Sequence, residues 1–91
     1  MANTLTAYGA LLDTAGSTLS TGFPCSEIIV TETGGSSGGV VTISDDKGTV
    51  ITKVGVPAGQ TARFYFGGRP NGIQFSTTGG TILVTVFKRF Q

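Results

Sequence analysis

The stretch Thr61-Ala62-Arg63-Phe64-Tyr65-Phe66 carries the clearest pattern in the chain. Ala62, Phe64 and Phe66 alternate with Arg63 and Tyr65, the period of two that places successive side chains on opposite faces of a strand. Both sides of this run repeat the theme. Upstream, Val56-Pro57-Ala58-Gly59-Gln60 forms a turn, and downstream Gly67-Gly68-Arg69-Pro70-Asn71-Gly72 forms a longer loop. Glycine and proline recur at short intervals, and the segments between them hold four to nine residues rich in Val, Ile, Thr, Phe and Tyr. Short strands joined by turns have this composition.

Further strands are expected over Cys25–Thr33, with Ile28 and Val30 on one face, and over Val40–Ser44, Thr49–Val54 and Thr81–Lys88. Asp45-Asp46-Lys47-Gly48 has turn chemistry and joins two of them into a hairpin. Ile73 and Phe75 are expected inward, with Gln74 and Ser76 outward. Strands spaced about ten residues apart favour antiparallel pairing, because parallel pairs require long crossovers. The fold class that follows is all-β: a compact antiparallel sandwich or small jelly-roll-like barrel of six to eight short strands. A single domain spans residues 1–91, with a core over 22–91 and a loosely structured N-terminal arm over 1–21. Within that arm Thr4–Leu12 reads as an extended arm or an edge strand. The last strand is apolar on both sides, Ile82, Val84 and Val86 on one and Leu83 and Phe87 on the other. Either it is central and covered by its own chain, or one face packs on another subunit.

Composition narrows the function. Six basic and five acidic residues give a net charge of +1, without the basic stripe of a nucleic-acid binder. The charged fraction is 12%, about half the usual ~25%. Glycine, serine and threonine supply 37 of the 91 residues, which suits faces that meet other protein faces. Cys25 is the single cysteine, so no intrachain disulfide forms, and a chain this short needs help from partner subunits if it lacks disulfides and metals. No basic n-region with an apolar run follows Met1, and no apolar run approaches a membrane span. The product is therefore expected to be cytosolic when made, with Cys25 reduced and no membrane partner.

The catalytic inventory is thin. There is no histidine, which removes Ser-His-Asp and Cys-His arrangements, and five scattered carboxylates with one thiol make a poor metal set. Asp45 and Asp46 adjoin in a turn. Glu27 and Glu32 are an odd number apart, so a regular strand points them to opposite faces. Gly34–Gly39 is followed by no Gly-Lys-Ser/Thr and reads as a flexible loop. Cys25 reads as a core or semi-buried residue. Arg63, Tyr65 and Arg69 supply one ring for stacking, too little for a nucleic-acid platform. No enzyme activity, cofactor, metal or nucleic-acid partner is expected. The positions expected to touch a partner are Leu5, Tyr8, Leu11 and Leu12 in the N-terminal segment, Arg69 and Asn71 in a loop, and Phe87 and Phe90 near the C-terminus.

Val54-Gly55-Val56-Pro57-Ala58-Gly59-Gln60-Thr61-Ala62-Arg63-Phe64-Tyr65-Phe66, with Asn71-Gly72-Ile73-Gln74-Phe75-Ser76-Thr77-Thr78-Gly79-Gly80, resembles small β-sandwich virion proteins of tailed bacteriophages, of the capsid decoration or cement type. The likeness covers the last forty residues or so and lies in scaffold positions. It implies a non-enzymatic protein on the capsid surface of a virion. Such a protein stabilises contacts between major-capsid subunits as a homo-oligomer, with a trimer favoured. A head-fibre or tail component, or a receptor- or glycan-binding module, is the alternative.

Overall fold

The computed structural model describes residues 3–16, 18–20 and 24–89, and these form strands and turns without a helix. The strands are β1 (Thr4–Thr6), β2 (Gly9–Leu12), β3 (Leu19–Ser20), β4 (Cys25–Glu32), β5 (Gly39–Asp45), β6 (Val50–Val56), β7 (Thr61–Tyr65), β8 (Gly72–Thr78) and β9 (Ile82–Lys88). They make a five-stranded sheet in the order β1-β2-β9-β4-β7 and a four-stranded sheet in the order β3-β8-β5-β6. Every pairing is antiparallel. The first strand after the β1 edge pairs with the last, β2 with β9; then β3 pairs with β8, β4 with β7 and β5 with β6. A long hairpin wound on itself gives this nesting, which is the winding of a jelly roll.

The core lies between the sheets. Leu12, Ile28, Val30, Val41, Ile43, Ile73, Phe75, Val84 and Val86 are buried there, and Ala62, Phe64 and Phe66 pack against them from the β7 side. The alternation expected for β7, β8 and β9 is the one observed, with apolar residues inward at every second position. The β5–β6 hairpin closes as its sequence implies. Asp45 Oδ1 accepts hydrogen bonds from the Lys47 and Thr49 N–H groups, both at 2.9 Å.

Two bulges break the simple parity. Between Cys25 and Glu27 the β4–β9 register shifts, so Ser26 is the extra residue and Cys25 turns inward, fully buried. In β6 the register passes from Thr52 to Val50. Ile51 is the residue left over, and it packs against the core although its neighbours Val50 and Lys53 are exposed. Bulges re-aim side chains in this way.

The N-terminal segment, expected as an extended arm or an edge strand over Thr4–Leu12, forms two strands. Thr4–Thr6 is an edge strand, but Gly9–Leu12 is an interior strand held between β1 and β9. Ala10 and Leu12 face the core at 1% and 0% exposure. Asn3 pins the segment further, its Oδ1 accepting from the Asp13 and Thr14 N–H groups at 2.9 Å. Burial of Leu12 opposite Val84 overrides the weak strand propensity of Gly-Ala-Leu-Leu. This difference is measurable. Leu12→Ala is expected to lower the unfolding free energy by about 2–4 kcal/mol, whereas Leu11→Ala, one residue away and outward, costs under about 1 kcal/mol. Urea denaturation of the two variants checks this, and equal small effects would restore the loose arm.

Candidate functional site

Opposed residues of an antiparallel pair share a face, so the register fixes what each outer surface carries. On the five-stranded sheet one outward row runs Thr6, Gly9, Phe87, Glu27, Tyr65. The next runs Thr4, Leu11, Thr85, Ile29, Arg63, and a third holds Leu83, Thr31 and Thr61. Leu11, Ile29, Leu83 and Phe87 thus form an apolar area across β2, β9 and β4, and none of the four belongs to the core cluster. Leu11 is 41% exposed, while Ile29, Leu83 and Phe87 are half-buried among their neighbours. Thr85 stands at the centre of these four, Thr4, Thr6 and Thr31 lie at the border, and at the β7 side Arg63 Nε lies 3.3 Å from Glu27 Oε2. Tyr65 stands beyond that pair with 84% of its surface exposed. Among the described residues, the polar groups in these rows are hydroxyls and the Arg63–Glu27 ion pair.

The residues expected to meet a partner divide among several places. Leu11 and Phe87 lie on this outer face. Leu5 is exposed on edge strand β1, and Tyr8 is exposed in the turn between β1 and β2. Arg69 and Asn71 are exposed in the loop between β7 and β8, away from the apolar rows in the sheet register. Leu12 is corrected: its side chain is wholly inside the core. Phe90 lies outside the described residues. Sequence reasoning missed Ile29. The continuous run Ile28-Ile29-Val30 was its signal, because a strand with one wet face would alternate.

Glu32 was also missed as a structural element. It continues the inward parity of Ile28 and Val30 and is 2% exposed. Its Oε2 accepts from Thr81 N–H at 2.7 Å and Gly34 N–H at 2.9 Å. Its Oε1 accepts from Gly35 N–H at 2.7 Å and Gly59 N–H at 2.9 Å. Gly35 and Gly59 present those N–H groups from backbones with φ of 78° and 69°, a conformation that glycine adopts without strain. The donors, Thr81 foremost, then Gly59 and Gly35, with Gly34 least, hold the carboxyl at about 2 against an ordinary 4.5, while burial pulls the other way. A carboxylate already saturated by four N–H groups serves architecture, not proton transfer. Cys25 is equally inert: burial pushes its thiol up, which disfavours the thiolate that does thiol chemistry. Among the described residues, no three of the Cys, Asp and Glu side chains gather as a metal-ligating group.

No family model matches this chain, and neither a curated protein nor a solved structure matches it.

The Glu32 cluster gives a pH signature. Its folded value is depressed, so its stabilisation is complete above about 4.5 and is lost as pH falls through about 2. Glu32→Gln is expected to lower the melting temperature at neutral pH and to flatten the decline of melting temperature between those two values. Circular dichroism melts of both proteins across the acid range check it. An unchanged acid limb in the variant would refute the assignment.

Proposed function

We propose that this chain is a non-enzymatic structural protein of a phage virion, of the capsid decoration or cement type, that works by attachment. The observation that carries the reading is the outer face of the five-stranded sheet. There Leu11, Ile29, Leu83 and Phe87 surround Thr85, with further threonines at the border. Covering such an area removes apolar surface from water at about 25 cal/mol per Å², and the threonine rim can exchange hydrogen bonds with a partner. The resemblance of Val54–Phe66 and Asn71–Gly80 to phage virion sandwiches supplies the setting, with major-capsid subunits as the partner. A lattice multiplies weak contacts, so modest affinity per copy suffices for stable decoration. Low charge and abundant hydroxyls support packing against repeated protein faces.

The chain is expected to self-associate as a trimer and to co-sediment with capsids of its phage that have been stripped by mild treatment. Leu11→Glu and Leu83→Glu place carboxylates in the apolar rows without touching the core. Each is expected to keep the wild-type circular dichroism spectrum while reducing capsid-bound protein at least about tenfold, the effect of a charge left facing an apolar partner. Wild-type protein that fails to sediment with capsids would sink the reading. So would face variants that bind as well as the wild type.

A further inference from the structure

The outer surface of the four-stranded sheet differs from its counterpart. Two cross-strand rows define it, Lys53–Thr42–Ser76 and Gly55–Val40–Thr78, each drawn from β6, β5 and β8 in turn. Together with Thr77, all of these except Gly55 line a shallow concavity of about 370 Å³. A gap in the side-chain lattice adjoins the hollow. Gly55 leaves one site of the lattice of side chains vacant, with nothing within 4 Å of where a Cβ would stand. Lys53 precedes Gly55 by two on the same face, and Val40, 41% exposed and opposite Gly55 in register, is the apolar part of the lining. The rim carries the hydroxyls of Thr42, Ser76 and Thr78 and the Lys53 ammonium. Among the described residues, none of these four groups has a hydrogen-bond or ion-pair partner in the protein. No carboxylate lines the hollow.

We infer that this hollow binds an acidic saccharide, the end of a glycan bearing a uronate- or sialate-type carboxylate. The three parts of the site match the three parts of such a ligand. The ammonium pairs with the carboxylate in a charge-assisted hydrogen bond. The hydroxyls, each both donor and acceptor, exchange hydrogen bonds with sugar hydroxyls. Val40 meets the apolar C–H face of the ring. The volume is at the small end of ligand sites, which begin at roughly 300 Å³, and the three-strand row spans about 10 Å, a length suited to one or two sugar rings. With no aromatic platform and an open mouth, a single site binds weakly, and many copies on one surface bind by avidity. This inference does not rest on the capsid reading. It concerns the opposite face of the sandwich and requires no attachment to a virion.

The test is a titration of ¹⁵N-labelled protein, followed by amide chemical shifts, with sodium glucuronate, sodium N-acetylneuraminate, glucose and sodium sulfate. Either acidic sugar, or both, is expected to shift the amides of Val40, Thr42, Lys53, Ser76 and Thr78 at concentrations where glucose and sulfate do not. Lys53→Gln is expected to weaken that binding about tenfold or more. Gly55→Val sets a β-branched side chain opposite Val40, at the edge of the hollow, where the strand accommodates it. It is expected to abolish binding while retaining the dispersed spectrum of the folded protein. Lys47→Gln, on the distant hairpin turn, is expected to bind as the wild type does. Sulfate acting as strongly as the acidic sugars would reduce the hollow to a simple anion site and overturn the inference. Glucose acting as strongly, no shift with either acidic sugar, or full binding by Gly55→Val would also overturn it.

Discussion

One carboxylate closes an end of this roll. The connections β4–β5, β6–β7 and β8–β9 all cross between the sheets near Glu32, and each brings backbone N–H groups that a buried position must satisfy. Gly34 and Gly35 come from the first, Gly59 from the second and Thr81 from the third. A neutral side chain could accept from some of them, whereas an ionised carboxylate has two oxygens with room for all four. The same four dipoles keep that carboxylate ionised, so acceptor and donors stabilise each other. A domain of 91 residues with one cysteine has no intrachain disulfide to fasten its loops. Glu32 fastens three of them non-covalently, at the end of the roll where they cross between the sheets.

The roll sets what each outer face contains. Successive strands from β3 onward alternate between sheets except at the β5–β6 hairpin, so neighbours in sequence contribute to opposite surfaces. The apolar outer area gathers Leu11, Ile29, Leu83 and Phe87 from three well-separated stretches, and the hydroxyl-lined hollow gathers its groups from three others. No short motif records either surface. They exist only once β2 has found β9 and β5 has found β8.

Much of the scaffold was nevertheless legible. Period-two alternation located β7, β8 and β9 with their inward faces, and Asp45-Asp46-Lys47-Gly48 marked the β5–β6 turn because Asp side chains bond nearby N–H groups. What stayed hidden was non-local. Gly9-Ala10-Leu11-Leu12 carries little strand propensity, and its place beside β9 is decided by burial of Ala10 and Leu12 more than seventy residues away in sequence. The bulges at Ser26 and Ile51 were invisible for a related reason: an extra residue flips parity only relative to a partner strand. Spacing placed Glu32 on the face opposite Glu27 and no more; carboxylates are rarely buried unless paired, and the partners of this one are backbone groups brought together by the fold. Of the surfaces, the two-sided apolar character of β9 was readable, and the vacancy at Gly55 was not.

Edges and faces of the sandwich are treated differently by this sequence. The edge strands are β1, only three residues long; β3, only two; β6, which carries a bulge and Lys53; and β7, which carries Arg63. Short length, bulges and cationic side chains are the devices that discourage edge-to-edge pairing. The outer faces carry threonine in most rows, a residue whose β-branched stem favours the strand while its hydroxyl tolerates both water and a partner. Contacts that would extend the sheets indefinitely are thereby suppressed, and contacts through a face remain open. A face contact has a defined area and orientation, so association built from it can stop at a closed symmetric assembly or a lattice site. In this sequence Glu32 and Cys25 are buried, short, bulged or cationic strands guard the edges, and the outer faces are the surfaces left open to contact.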